Sequence, residues 1–192
     1  MIKNILLAFI PVFVAVDAPG VLPIFASLTR GFTREEKAKV INQSVATAIC
    51  LAVGFIFLGK FIFRALGITM SDFMVAGGAV LFCIAIIDII TPGKKRRIPG
   101  NELGAVPLGT PLIVGPAVMT ASLIIIDDYG LYVALISVIS NVLVAGFIFY
   151  SSDTLLKVVG ETGVKALSKV MHLLLAAIAV MFIRKGITQL LG

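Results

Sequence analysis

Three stretches of this sequence contain no charged residue over twenty or more consecutive positions: residues 40–59, 103–126 and 129–152. A helix needs roughly 20 apolar residues to cross a hydrocarbon core of about 30 Å. With 59% hydrophobic residues and a mean hydropathy of +1.12, the chain is more apolar than water-soluble domains are. The sequence therefore predicts an integral membrane protein.

We predict an all-α protein with a single transmembrane domain over residues 1–192. Helices are favoured over a β-barrel because the sequence lacks the alternating ten-residue segments of barrel strands. Short connections join the predicted helices. The six predicted spans are residues 5–28, 41–62, 73–90, 105–126, 131–151 and 166–190.

The basic residues are distributed unevenly between the two sides that six spans define. Connections one, three and five carry eleven of them, and the opposite side carries five. Cytoplasmic loops of membrane proteins are enriched in Lys and Arg, so this bias predicts that both termini lie outside. The net charge of +6 needs no nucleic-acid partner, since the charges lie between spans and no aromatic platform accompanies them.

An acid and several helix breakers interrupt the first predicted span. Asp17 is followed by Ala18, Pro19 and Gly20, with Pro23 close behind. Asp17 lies roughly 13 residues into the span, about 18 Å along a helix. A charge at such a depth costs about 2.5–3.5 kcal/mol on insertion scales. We interpret Asp17 as the site of a coupling cation or proton, or of a substrate ammonium; a helix cap without a transport role is the alternative.

The fourth predicted span is interrupted in a similar way. Pro111 precedes Gly115 and Pro116, and a break there would expose backbone N–H groups suited to a substrate carboxylate. A simple kink is the alternative. Two further polar residues could contribute to the same site: the Thr110 hydroxyl, and Asn141, the amide deep in the fifth span, which could equally hold two helices together. The predicted solute site comprises Asp17, Pro19, Gly20, Thr110, Gly115, Pro116 and Asn141.

The two halves of the chain resemble each other weakly. Residues 54–57, Gly-Phe-Ile-Phe, recur at residues 146–149. We therefore predict two three-span repeats, residues 1–93 and 94–192, although apolar helices can look alike by composition alone. Because three is odd, the repeats would be inverted, with the broken helices 1 and 4 meeting near the midplane.

The remaining candidates for chemistry point away from an enzyme. We interpret Asp88 and His172 as structural or interfacial residues near span ends. Cys50 and Cys83 have no metal-ligand or disulfide spacing. Asp17 and Asp88 lack the setting of an intramembrane aspartyl protease, and no phosphate loop, nucleophile elbow or zinc motif occurs. The sequence predicts no cofactor and no metal.

The run from Asp17 to Phe25 resembles the N-terminal signature of the MarC family, also called SnatA or UPF0056. The likeness covers essentially the whole chain. The family usually has proline directly after an Asn or Asp, where this chain has Ala18, a second glycine where it has Ala117, and glycine where it has His172. The other residues that carry the likeness are Gly67, Ile68, Phe73, Ala76, Gly77, Gly78, Pro107, Leu108, Pro111, Gly115, Pro116, Gly160, Gly163, Met171 and Gly186.

This resemblance implies six spans in the inner membrane, a relation to the LysE-type transporter group, and uptake of small neutral amino acids coupled to protons or another ion. The resulting hypothesis is a secondary transporter whose partners are a small solute or ion and the lipid bilayer. The alternatives are an exporter of an unknown metabolite and a non-transporting membrane protein that assembles or stabilises partners. Glycine-lined spans also allow a homo-oligomer.

Overall fold

The computed structural model describes residues 2–29, 31–90 and 113–191, and within these ranges every regular element is an α-helix. The predicted all-α class is therefore confirmed. Thr110 and Pro111, and the other residues between 90 and 113, lie outside the described ranges. The helices are α1 (Ile2–Val16), α2 (Ala18–Leu28), α3 (Arg34–Leu66), α4 (Met70–Ile90), α5 (Pro116–Tyr129), α6 (Leu131–Tyr150) and α7 (Ser152–Leu191).

Five helical stretches in the described ranges are long and apolar enough to cross a membrane. The fourth predicted span, residues 105–126, begins outside the described ranges. Its C-terminal part is α5, which has 14 residues and at about 21 Å would be too short to cross alone. The five stretches are Lys3–Ala26, Arg34–Leu66, Met70–Ile90, Leu131–Tyr150 and Thr162–Leu191.

The outer faces of these helices are apolar. Phe57, Phe61, Phe147 and Leu173 are exposed large hydrophobic side chains. Apolar surface of this extent marks contact with lipid or with another protein rather than water. The described structure thus agrees with the membrane location that the composition predicts.

The helix α3 begins seven residues before the predicted span because a capping box starts it. The Thr33 hydroxyl oxygen accepts the Glu36 N–H at 3.2 Å, and the Glu36 carboxylate accepts the Thr33 N–H at 2.7 Å. These bonds satisfy N–H groups that the first helical turn leaves free. Hydropathy locates only the lipid-embedded part of a helix, so the polar first turns were missed.

The connection between the fifth and sixth predicted spans is also helical. The helix α7 starts at Ser152, and Gly160 interrupts it with φ 71° and ψ 162°. Glycine adopts a positive φ without the steric cost that a Cβ brings. The polar residues before the sixth span therefore form a helical segment that bends at one glycine.

The helix α4 packs against α7 along its length, and this is the most extensive contact between two described helices. A Cβ on Gly78 would lie 2.8 Å from the Ala179 carbonyl oxygen, and one on Gly186 would lie 2.8 Å from the Ser71 carbonyl oxygen. Glycine is required at such points because membrane helices associate through close backbone approach. The two helices are thereby fixed against each other.

Two ion pairs mark opposite ends of the bundle. At one end, here called the Lys37 end, Lys37 at the start of α3 contacts Asp153 at the start of α7, with Nζ to Oδ1 at 2.9 Å. At the other, the Lys185 end, Lys185 near the end of α7 contacts Asp128 at the end of α5, with Nζ to Oδ2 at 2.6 Å.

Replacing Gly78 by alanine should destabilise the protein, because the new methyl group would meet backbone atoms that cannot turn away. Overpacking of this kind costs about 1–3 kcal/mol, which corresponds to about 3–10 °C in the thermal midpoint of a chain this long. The measurement is thermal unfolding in detergent.

Gly54→Ala is the matched control, since a Cβ there has nothing within 4 Å. Both substitutions sit in a helix and gain about 1 kcal/mol of intrinsic propensity. Their difference therefore isolates the contact between α4 and α7, and equal midpoints would contradict the close packing inferred at Gly78.

Candidate functional site

The backbone leaves helical geometry at Asp17, between α1 and α2. Asp17 has φ 44° and ψ 46°, and it is the one non-glycine residue with positive φ in the described part of the chain. Sparsely populated backbone conformations of this kind cost on the order of 1–3 kcal/mol and cluster at functional sites. Its N–H still donates to the Phe13 carbonyl at 3.2 Å, and its carbonyl accepts the Val21 N–H at 3.1 Å. The chain therefore changes direction at one residue while keeping most of its backbone hydrogen bonds.

The Asp17 carboxylate is surrounded by hydrogen-bond donors. Oδ1 accepts the Gly20 N–H at 3.3 Å. Oδ2 accepts the Ser168 hydroxyl at 3.3 Å and lies 2.9 Å from His172 Nε2. The buried Pro19, near the start of α2, has no N–H to satisfy, as suits the first turn of a helix. The side chains of Asp17 and His172 are 15% and 14% exposed, so these contacts are largely shielded.

A second carboxylate faces the same imidazole nitrogen. Asp88, near the end of α4, has Oδ2 3.6 Å from His172 Nε2. Nε2 therefore lies between two acids, one at the α1–α2 junction and one on α4. We call Asp17, His172 and Asp88 the Asp–His–Asp cluster. All three residues lie within helices long enough to span a membrane.

The surroundings of the Asp–His–Asp cluster are apolar. Val14, Ala85, Ala117 and Leu175 belong to one buried hydrophobic group. Val14, Ala85 and Leu175 each lie three residues from a member of the cluster, and Ala117 lies in the first turn of α5. Charges interact more strongly in such a medium than in water, because less solvent screens them. The Asp17 and His172 side chains are thus largely enclosed by apolar residues, whereas the Asp88 side chain is 30% exposed.

Gly20 provides the space that the Asp17 carboxylate occupies. A Cβ on Gly20 would overlap Asp17 Oδ2 and Ser168 Oγ. Since the carboxylate is held by three donors, it has little freedom to move aside. The predicted site residue Gly20 therefore acts by lacking a side chain and by donating its N–H.

The start of α5 is the second predicted break. Gly115 is extended, with φ −93° and ψ −177°, and no side chain caps the helix. The first intrahelical bond runs from the Met119 N–H to the Gly115 carbonyl at 3.1 Å, so the N–H groups of Ala117 and Val118 precede it. Both of these residues are buried, whereas Pro116 is exposed.

The α5 start and the Asp17 junction share one core. Ile113, Val114 and Val118 belong to the same buried group as Val16 and Ala18, which flank Asp17. The α1–α2 junction, which carries a carboxylate, and the start of α5, which presents backbone N–H groups, thus pack into the same hydrophobic group.

Asn141 joins α6 to the first helix. Its Nδ2 donates to the Phe9 carbonyl at 3.1 Å and to the Ser137 carbonyl at 2.8 Å. Its side chain is buried, and its Oδ1 accepts no hydrogen bond from the described residues. Phe9 lies eight residues before Asp17, about 12 Å along a helix. Asn141 therefore holds α1 against α6, and it does not lie beside the Asp17 carboxylate.

The sequence analysis did not predict which residues lie around Asp17. His172 and Ser168, which contact Asp17, and Asp88, which contacts His172, lie 71 to 155 residues further along the chain. No local sequence pattern connects these residues to Asp17. These partners could have been predicted from the free-energy cost of a charge in the membrane. Because of that cost, an ionisable residue within a span almost always faces the protein interior and pairs with another group. Applied to His172 and Asp88, that rule would have selected both.

The fold and the site together define a helical integral membrane protein with an ionisable cluster inside the bundle. This chain belongs to the MarC family of integral membrane proteins, whose family model matches residues 2–191. The family resemblance read from the sequence is thereby confirmed.

Similar proteins include a UPF0056 membrane protein from Methanocaldococcus jannaschii, 33% identical over 95% of this chain and 86% of that protein. Another from Archaeoglobus fulgidus is 29% identical over 95% of this chain and 91% of that protein. A third, from Aquifex aeolicus, is 28% identical over 96% and 92%. No solved structure matches this chain.

Gly20→Ala should displace the Asp17 carboxylate from its donors, because the new methyl group takes its space. His172 is the single histidine of the chain, so ¹⁵N labelling of histidine reports on this site alone. We expect changed imidazole ¹⁵N signals in detergent-solubilised Gly20→Ala and unchanged signals in Gly54→Ala. Identical imidazole signals in Gly20→Ala and the native protein would contradict the described contact.

Proposed function

We propose that this protein is a secondary transporter of small neutral amino acids, driven by protons or a cation that binds at Asp17. The solute would bind between the α1–α2 junction and the start of α5, at Asp17, Gly20 and Gly115. The observation that carries the proposal is the Asp–His–Asp cluster: a carboxylate at a helix break, 2.9 Å from an imidazole, inside an apolar bundle. Ionisable groups in such positions mark ion, proton and substrate pathways.

The two polar walls suit an amphoteric solute. The Asp17 carboxylate would attract an ammonium group, and the N–H groups at the start of α5 would attract a carboxylate. Discontinuous helices that present such groups are the usual binding elements of secondary transporters. Thr110 and Pro116 belong to the proposed solute site as residues of the fourth predicted span, and Pro19 and Asn141 as supports of the first helix.

The contacts between helices support a pseudo-two-fold relation between the halves. In the proposed repeats, α1–α2 corresponds to α5, α3 to α6, and α4 to α7. Each corresponding pair is in contact: α1 with α5, α3 with α6, and α4 with α7. Rocking of one three-span repeat against the other would then give alternating access. In this proposal the protein lies in the inner membrane with both termini outside.

A cleft at the Lys185 end supplies a candidate path to the site. Its volume is about 250 Å³, and Pro11, Asp128, Ile178 and Lys185 are among its lining residues. Drug-sized ligands occupy pockets of roughly 300–1,000 Å³, so this cleft suits a smaller solute. Ile178 lies six residues from His172, about 9 Å along α7.

Uptake into proteoliposomes tests the proposal. Radiolabelled glycine and alanine are supplied with an imposed pH gradient, with a Na⁺ gradient, or with neither. We expect saturable, gradient-driven uptake and counterflow of at least one solute. Non-saturable flux without counterflow would indicate a channel, and the absence of any flux would favour the non-transporting alternative.

Asp17→Asn should reduce gradient-driven uptake at least tenfold, because the amide keeps the oxygen that accepts the Gly20 N–H but removes the charge. Asp153→Asn is the matched control, since the same chemical change falls on an exposed acid paired with Lys37, and we expect it to leave uptake unchanged. Native rates and ion dependence in Asp17→Asn would count against the proposed role of Asp17.

A further inference from the structure

We infer that Asp17, His172 and Asp88 form one proton-binding site, in which the coupling proton binds at His172 Nε2 and the resulting N–H donates to either carboxylate. The inference rests on the proposed function and deepens it, because it makes the proton the driving ion. It also assigns the coupling to a histidine and to an acid on α4.

The geometry allows His172 Nε2 to serve one acid at a time. Its distance to Asp17 Oδ2 is 2.9 Å and to Asp88 Oδ2 is 3.6 Å. The first is a good hydrogen-bond length and the second is too long for one. A shift of about 0.7 Å would reverse the preference. One N–H thus has two alternative acceptors on different helices.

The two acceptors differ in how firmly they are held. Asp88 and His172 lie on α4 and α7, which the close contacts at Gly78 and Gly186 fix together. Asp17 lies on a one-residue junction with a left-handed backbone. Asp17 lies outside this packed pair, so a displacement of the first helix against α4 and α7 would change the distance from Nε2 to Asp17 but not the distance to Asp88. When Asp17 moves away, the proton on Nε2 turns to Asp88, so the protonation of His172 is linked to the position of the first helix.

An imidazole in this position favours a proton over a metal cation. Hard cations such as Mg²⁺ and Ca²⁺ take oxygen ligands, and the same preference is expected of Na⁺. Here the carboxylate oxygen that such a cation would use already lies 2.9 Å from a ring nitrogen. Protonated histidine would repel a cation at that place. Histidine is also the side chain whose ordinary protonation range lies nearest neutral pH.

Two lysines share the face of α7 that carries His172. Lys169, Ser168 and Lys165 lie three, four and seven residues before His172, and both lysines are exposed. Elsewhere on the described helices α1, α2, α4 and α5, the ionisable groups are Lys3, Asp72, Cys83, Asp127, Asp128 and Tyr129. Lys3, Asp72, Asp127, Asp128 and Tyr129 lie near helix ends remote in sequence from the cluster, and Cys83 is exposed.

The first test observes the site directly and needs no substrate. The full-length protein in lipid nanodiscs is labelled with ¹⁵N-histidine and ¹³Cγ-aspartate, and its NMR signals are followed against pH. Because a change of charge on Nε2 alters the shielding of carboxyl groups 2.9 and 3.6 Å away, the Asp17 and Asp88 carboxyl signals should respond at the midpoint of the single imidazole. In His172→Gln that response should vanish, and the exposed Asp153 should not show it in either protein.

The second test measures coupling in proteoliposomes loaded with a pH-sensitive dye. External glycine or alanine should acidify the lumen of vesicles that contain the native protein. His172→Gln keeps an N–H donor for Asp17 but cannot hold the extra proton. We expect the ratio of proton-driven accumulation to counterflow to fall at least tenfold in His172→Gln and in Asp88→Asn, and to stay unchanged in Asp153→Asn.

The outcomes separate this inference from the proposed function. Absence of glycine and alanine flux in the native protein would overturn the proposed function for these solutes, while the NMR titration still decides on the proton site. If the Asp17 and Asp88 carboxyl signals do not change at the pH at which the imidazole titrates, the inference is overturned even if transport occurs. So would unaltered proton entry in His172→Gln, or native transport driven by Na⁺ without protons. If His172→Gln does not fold, the ratio of proton-driven accumulation to counterflow in Asp88→Asn decides instead.

Discussion

The contact between the Asp17 carboxylate and His172 Nε2, 2.9 Å long, is the interaction on which this site depends. A carboxylate inside an apolar bundle is tolerated only where donors or opposite charges compensate it. Here the Gly20 N–H, the Ser168 hydroxyl and the imidazole do so. The left-handed backbone at Asp17 and the absence of a Cβ at Gly20 both follow from this requirement, because each places the carboxylate within reach of α7.

The partner helices explain why the contact is specific. The glycines Gly78 and Gly186 bring the backbones of α4 and α7 together, and this packing sets Asp88 and His172 3.6 Å apart. Asn141 holds the first helix to α6 through the Phe9 carbonyl. The carboxylate of Asp17 thus reaches a pair of side chains whose relative position other contacts have already determined.

Hydropathy predicted the helical class, because that class depends on local composition. It did not predict that α3 and α7 continue into polar residues, since a helix extends beyond the lipid wherever capping or propensity supports it. The approach of His172 to Asp17 joins residues 155 positions apart, and it arises from packing at glycines that face other helices. Periodicity within one helix contains no information about such a pairing, so both His172 and Asp88 were interpreted as residues at span ends.

The family resemblance suggests a physical reason for the contact between Asp17 and His172. The family pattern that the sequence resembles implies Asn or Asp at position 17 and glycine at position 172. An asparagine caps a half-helix as well as an aspartate does and carries no charge, so it needs no basic partner. An aspartate in the same place carries a charge that its surroundings must compensate, and a glycine at position 172 has no side chain with which to do so. In this chain the acid at position 17 and the imidazole at position 172 therefore form a matched pair, and the histidine occupies space that a glycine would leave open. A charge that would otherwise be costly is held by a group able to gain and lose a proton.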